Sequence, residues 1–163
     1  MKGEGLAELS GLKKASILFF ATGTGSGFIP FFPGTFGTVW GVVIVFFLSG
    51  LSYTLYGAAV FMVIAASVFF ADRARNIFSN EKDPRYIVCD EIAGFCVASF
   101  LIPFTPLNTI LVFIIFRIFD ILKPFPAGLI DRRLTDGVGI VLDDVCAGIY
   151  ANILSQLILK FIL

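Results

Sequence analysis

The apolar runs of this chain are too long and too closely spaced for an ordinary soluble fold. Five stand out, near residues 36–50, 53–72, 87–102, 107–122 and 139–163. Hydrophobic residues make up 58% of the chain and charged residues 15%, whereas soluble domains carry about 25% charge. These features point to an all-α integral membrane protein folded as one compact bundle of about five short transmembrane helices. Several runs fall short of the ~20 residues a helix needs to cross a ~30 Å hydrocarbon core, so short, tilted or partly submerged helices are expected.

The connectors alternate in character. "SGLSYT" (49–54) and "PFTPLN" (103–108) are uncharged, while the N-terminus, 72–86 and 117–137 hold 11 of the 12 Lys and Arg residues. The positive-inside rule places those three basic regions in the cytoplasm, giving five passes with the N-terminus inside and the C-terminus outside. Residues 1–15 read as an interfacial amphipathic helix, with Leu6, Leu9, Leu12 and then Ile17 near helical spacing. Glu4 and Glu8 argue against a signal peptide. A sixth apolar piece, 15–33, is broken by Gly23, Gly25, Gly27, Pro30 and Pro33. It reads as a re-entrant loop, tolerated at membrane depth where it is buried in protein or faces water. No linker or repeat divides the chain, so residues 1–163 are expected to form a single domain.

Composition also restricts the chemistry. A net charge of zero gives nucleic-acid binding no electrostatic support. The chain has no histidine, so catalysis must run on carboxylates, hydroxyls, Lys and Arg. Cys89, Cys96 and Cys146 form no CxxC pair and read as small buried hydrophobes.

On this topology five acids gather at the cytoplasmic end. Asp90 and Glu91 open the third segment, Asp120 closes the fourth, and Asp143 and Asp144 open the fifth. At one depth they repel one another unless positive charge sits among them. Asp90, Gly94 and Ala98 share a helix face, as do Asp144 and Gly148. Small residues on such a face allow close helix approach and turn the acids into the bundle. A hard, oxygen-seeking cation, Mg²⁺, is the natural partner for these acids. The alternative is that these are wetted helix-start acids favoured by the helix dipole.

Arg117, Lys123, Arg132 and Arg133 interleave with the acids, and Arg forks suit phosphate. A basic cytoplasmic loop of this kind is equally a topology signal or a lipid-headgroup contact. The run "ATGTGSGFIPFFPGTFGTVWG" (21–41) supplies bare backbone N–H groups and the hydroxyls of Thr22, Thr24, Ser26, Thr35 and Thr38. Glycine-rich loops leading into a helix make anion sites, although no Walker motif is present. Gly37 and Gly41 suit helix packing, leaving phosphate contact to residues 24–38.

"TGTGSGFIPFFPGTFGT", "VCDEIAG", "FRIFDILKPFP" and "DRRLTDGVGIVLDD" followed by "AG" resemble the phosphatidylglycerophosphatase A family over about residues 20–150. The resemblance implies a multi-pass, Mg²⁺-dependent lipid phosphatase of the bacterial inner membrane. Such an enzyme removes the terminal phosphate of phosphatidylglycerophosphate on the cytoplasmic side to leave phosphatidylglycerol. Asp90, Glu91, Asp120, Asp143 and Asp144 match the family's acids, and Arg117, Lys123, Asp131 and Arg132 match its other polar positions. Cys89, Leu122 and Phe125 stand where the family often has Trp, which bears on membrane depth rather than chemistry.

The expected mechanism has Mg²⁺ on some of Asp90, Glu91, Asp143 and Asp144. Arg117, Lys123 and Arg132 clamp the phosphate, with donors from Thr24, Ser26, Thr35 or Thr38. Either a carboxylate activates water or an aspartate attacks, Asp120 and Asp144 being the candidates. Two other readings are a small cation-coupled transporter and a non-catalytic lipid-binding subunit.

Overall fold

Each of the five apolar runs forms a helix, and the starts of four of them are set by proline or a side-chain cap. The computed structural model describes residues 11–78 and 84–161, which are all-helical. Helix α1 is Gly11–Ala21, α2 Pro33–Leu48, α3 Tyr53–Ile77, α4 Cys89–Ala98, α5 Pro106–Leu122, α6 Ala127–Arg133 and α7 Gly137–Phe161. Most of the expected interfacial segment, residues 1–10, lies outside the described residues; the chain is helical from Gly11. The glycine-rich run expected as a re-entrant loop forms a turn and a short 3-10 helix, Ser26–Phe28, between α1 and α2.

Proline at the first helical position costs no hydrogen bond and sets φ for the turn that follows, which is how Pro33 opens α2 and Pro106 opens α5. Thr105 caps α5 by accepting from the Asn108 N–H at 3.2 Å. Ser52 does the same for α3 from the Leu55 N–H at 3.5 Å. At the head of α7, Asp136 accepts from the Gly139 N–H at 3.0 Å, and Asp72 of α3 accepts from the Gly137 N–H at 3.4 Å. The second bond ties the starting point of α7 to α3.

Helix α4 occupies the centre and packs against α2, α3, α5 and α7. Of its ten residues all but Glu91 and Val97 are buried. At ~1.5 Å per residue it is only about 15 Å long, about half a hydrocarbon core. Among the described residues α3 and α7 are the two helices long and apolar enough to cross a membrane. The run 87–102 was expected to make a helix across its whole length, but α4 stops at Ala98. Asn152 of α7 explains the stop: its amide donates to the carbonyls of Ala98 at 2.9 Å and Phe100 at 2.7 Å. Those carbonyls are thus satisfied without another helical turn. The other end is fastened to α3, where the Ser67 hydroxyl donates to the Cys89 carbonyl at 2.8 Å.

Two apolar clusters flank α4. One gathers Phe95, Phe116, Val45, Val112, Ala147 and Ala151; the other gathers Ile17, Ala21, Ala71, Ala74, Cys89 and Ala93. Cys89 and Cys96 are buried and Cys146 partly so, as expected of structural thiols. Outward, Ile110, Ile114 and Ile118 make an exposed i, i+4, i+8 stripe on α5, and Phe47, Phe61 and Met62 project from α2 and α3.

Helices α4 and α7 approach each other closely. A Cβ on Gly94 would lie 2.7 Å from the Asp144 carbonyl and 2.8 Å from the Phe116 ring, and one on Gly148 would collide with the Gly94 carbonyl. No side chain fits between these backbones, and van der Waals contact at such small-residue faces is what holds helices together where water is absent. Gly94→Ala is therefore expected to destabilise the purified protein by about 1–3 kcal/mol. Gly50→Ala, at a turn with no atom within 4 Å of the added carbon, is expected to be neutral. Thermal unfolding in detergent checks both, and equal midpoints would refute the contact's importance.

Candidate active site

The first turn of α4 brings Asp90 and Glu91 to the same end of the bundle as the first half of α7. There a cleft of about 320 Å³ is lined by Asp90, Glu91, Arg117, Asp120, Lys123 and Asp144. Phe32, Pro33, Gly34, Arg85, Ile87 and Ile121 complete its wall. Asp90, Asp120, Asp143 and Asp144 are all buried. Oxygens of Asp90, Glu91 and Asp144 all lie within 4.8 Å of one another.

Three carboxylate oxygens here, Asp90 Oδ1, Glu91 Oε2 and Asp144 Oδ2, are buried without a hydrogen-bond donor. Buried polar atoms are normally paired, so a converging set of acceptors with no donor is a site that suits a hard cation. Asp120, Glu91, Asp143 and Asp90 all bear on Asp144, and like charges this close do not rest together in a dry site uncompensated.

Two basic side chains stand among the acids. The Arg117 guanidinium contacts Asp120 one turn along α5 and reaches Glu91 at 3.8 Å. It also donates to the Thr38 hydroxyl at 3.5 Å, and that hydroxyl donates to the Gly34 carbonyl at 2.9 Å. Arg117 thereby ties α5 to the start of α2. Lys123 follows α5 in a left-handed conformation, φ 43°, which turns its side chain towards α7. Its ammonium contacts Asp143 and lies 3.3 Å from Asp131. Burial disfavours the charged ammonium, but the Asp143 hydrogen bond and the charges of Asp143, Asp144 and Asp131 outweigh it and hold the lysine above its ordinary range.

The start of α2 comes unusually near. A Cβ on Gly34 would collide with Glu91 Oε1 and stand 3.0 Å from the Arg117 guanidinium. Phe32, the residue before this helix, has φ 53°, a left-handed conformation that side chains seldom adopt. Glycine at 34 leaves room for the Glu91 carboxylate against the start of α2.

Of the residues expected at the site, the structure brings Asp90, Glu91, Arg117, Asp120, Lys123 and Asp144 to one cleft. Asp143 was expected among the cation ligands but lies outside the three-carboxylate group and faces Lys123. The reason is helical: neighbours differ by about 100° around the axis, so Asp143 and Asp144 point to different elements. Glu91 also neighbours Asp90, but its longer side chain reaches back into the group. Thr38 touches the site through Arg117. Thr35, partly buried in the first turn of α2, is not part of the cleft wall. Thr24 and Ser26 stand apart from the cleft, because the 3-10 turn folds back on α1: the Thr24 N–H donates to the Phe19 carbonyl and the Ser26 hydroxyl to the Thr22 carbonyl. Arg132 is exposed on α6 and does not line the cleft.

Comparison with known proteins places the chain in a family. Residues 19–159 match the family model described as phosphatidylglycerophosphatase A. The chain belongs to the phosphatidylglycerophosphatase A family. It is 36% identical over 157 residues to a phosphatidylglycerophosphatase A of Haemophilus influenzae, covering 91% of this chain and 94% of that one. It is 32% identical to the phosphatidylglycerophosphatase A of Escherichia coli, covering 79% of this chain and 75% of that one. A Bacteroides thetaiotaomicron protein named putative phosphatidylinositol-3-phosphatase is 33% identical, covering 88% and 94%. No solved structure matches the chain. The expectation of an enzyme, a phosphoric monoester hydrolase, agrees with the family.

Because Asp143 is almost wholly buried while Lys123 is partly exposed, removing the lysine takes a cationic partner away from a desolvated carboxylate. In a double-mutant cycle of Lys123→Met and Asp143→Asn, the stabilities are expected to be non-additive by about 1–3 kcal/mol. Additive unfolding free energies would mean that the two side chains do not act as a pair.

Proposed function

We propose that the chain is a Mg²⁺-dependent phosphatidylglycerophosphatase of the bacterial inner membrane, crossing it several times with the cleft towards the cytoplasm. The observation that carries this reading is the triad of Asp90, Glu91 and Asp144, whose partnerless oxygens converge beside two basic side chains in a chain of this family. The exposed apolar stripe on α5 and the two spanning-length helices support the membrane placement. The basic connectors support its orientation. The glycine-rich segment before α2 then lies at the membrane surface or re-enters it beside the cleft.

Asp90, Glu91 and Asp144 are the residues that would hold Mg²⁺. When bound, the cation supplies positive charge to the phosphate oxygens as the terminal P–O bond breaks. Everything else falls to the chain. Arg117 keeps Glu91 and Asp120 in place and retains an unpaired Nε–H, and with Lys123 it offers positive charge to phosphate entering the cleft. Asp143 and Asp131 fix Lys123 in that role.

The overall change consumes one water: its oxygen bonds to phosphorus, and the glycerol oxygen leaves and takes up a proton. A carboxylate of the cleft accepts the proton of the attacking water, or Asp120 or Asp144 attacks phosphorus first and water releases the phosphate afterwards. Both routes need a carboxylate within reach of the phosphate, and the absence of histidine leaves that work to these acids.

Asp144→Asn and Glu91→Gln are each expected to lower phosphate release from phosphatidylglycerophosphate by about 10³-fold while the protein stays folded. Chelation should abolish release by the wild type and added Mg²⁺ should restore it. Cys89→Ser and Cys146→Ser should keep most of the activity. A wild-type protein that releases no phosphate with Mg²⁺ but carries cations across liposomes would replace the hydrolase reading with a transporter.

A further inference from the structure

Three basic side chains line the cleft, and they are not equivalent. Arg117 is engaged by Asp120 and Glu91, and Lys123 by Asp143 and Asp131. Arg85 has no carboxylate partner among the described residues. Its guanidinium lies 5.1 Å from the centre of the Tyr86 ring and donates to the Tyr86 hydroxyl at 3.4 Å. Its side chain is exposed, yet the backbone beneath it is fixed. Pro84 is buried, the Ile87 N–H donates to the Pro84 carbonyl at 2.8 Å, and the Val88 N–H donates to the Ala21 carbonyl at 2.9 Å. The Tyr86 carbonyl packs so closely on Gly27 that no Cβ fits there. Among the described residues, a fixed base thus presents the one guanidinium of the cleft that no carboxylate engages.

We propose that Arg85 is the substrate's diester anchor, binding the phosphodiester that links the headgroup to the lipid. This rests on the hydrolase reading above. The substrate carries two anionic groups of different kinds, a terminal phosphate monoester and an inner phosphodiester, only a glycerol apart. The monoester belongs with the Asp90, Glu91 and Asp144 group, where the bond is broken. The diester needs a separate positive partner, close by but clear of the acids. Arg117 and Lys123 are held beside the acids by their carboxylates and so serve the monoester; to reach the diester they would have to turn away from those partners. Arg85 would give up only a ring contact and a long hydrogen bond, and its planar fork matches two diester oxygens. The anchor would hold the lipid while leaving the monoester to the acids, so it contributes to substrate affinity rather than to the chemical step.

The test uses the full chain purified in detergent. Short-chain phosphatidylglycerol, which has the diester alone, and inorganic phosphate, which resembles the monoester alone, are each titrated onto wild type, Arg85→Ala and Arg85→Lys. Arg85→Ala is expected to weaken phosphatidylglycerol binding by about tenfold, with Arg85→Lys recovering part of the loss and inorganic phosphate binding unchanged. In turnover, KM for phosphatidylglycerophosphate should rise to a similar extent, with kcat within about twofold. Equal phosphatidylglycerol affinity in wild type and Arg85→Ala, or no binding by the wild type, would overturn the anchor. So would a loss of kcat at constant KM, or a parallel loss of inorganic phosphate binding. A wild type that binds phosphatidylglycerol through Arg85 but releases no phosphate would sink the hydrolase reading and leave the anchor standing.

Discussion

The contact between Gly94 on α4 and Gly148 on α7 sets the rest of the arrangement. Because neither position carries a side chain, the two backbones approach until the carbonyl of Gly94 fills the space where a Cβ on Gly148 would lie. Asp90 sits one turn before Gly94, and Asp144 one turn before Gly148. The close crossing of the glycines therefore puts these two acids side by side. Glu91 joins them through its longer side chain, and Gly34 lets the start of α2 close over it. In an apolar setting this packing is worth more than exclusion of water, since the surroundings are as apolar as the side chains.

Crowding acids together is unfavourable, and the fold offsets part of the repulsion with two basic groups from one helix. Arg117 lies within α5 and Lys123 just past its end, so one helix delivers positive charge to both sides of the acid group. Each is held by two carboxylates rather than one. Such pairs add little net stability when desolvated, but they restrict where the side chains point. Their contribution is to position Glu91, Asp120 and Asp143. Among the oxygens left without a donor are those of Asp90, Glu91 and Asp144, three residues of the cleft lining.

Much of this was legible in the sequence. The five apolar runs mark α2, α3, α4, α5 and α7, because hydrophobic runs ended by Pro, Ser, Thr and Asp define helices locally. The inward face of Asp144 follows from its spacing to Gly148. What the sequence hid depends on direction in space. Asp143 looks equivalent to Asp144 until the helix turns them to different partners. Thr24 and Ser26 resemble phosphate donors until the glycines around them fold the chain back on α1. Arg132 lies in a matching motif yet is exposed on α6. Arg85 reads as one more positive charge ordering the topology, and nothing near it in sequence announces that Arg117 and Lys123 are already engaged. The length of α4 was also hidden, because Asn152, more than fifty residues away, ends it.

That short α4 has a consequence for how a charged site coexists with a bilayer. A carboxylate at the centre of a spanning helix costs about 2.5–3.5 kcal/mol on insertion scales. Helix α4 is surrounded by α2, α3, α5 and α7 and need not face lipid. On the membrane reading, its ten residues carry an acidic first turn at one end and an apolar remainder packed on Phe116 and Val45. The acids therefore gather at the mouth, walled from lipid by protein and close enough to water for a headgroup to enter. On the same reading, helix α7, long enough to cross, contributes Asp144 about two turns from its start, at the same level. Depth and chemistry are thus set together: the two glycines fix how close the acids come, and the start of α4 at Cys89 sets the level at which they lie.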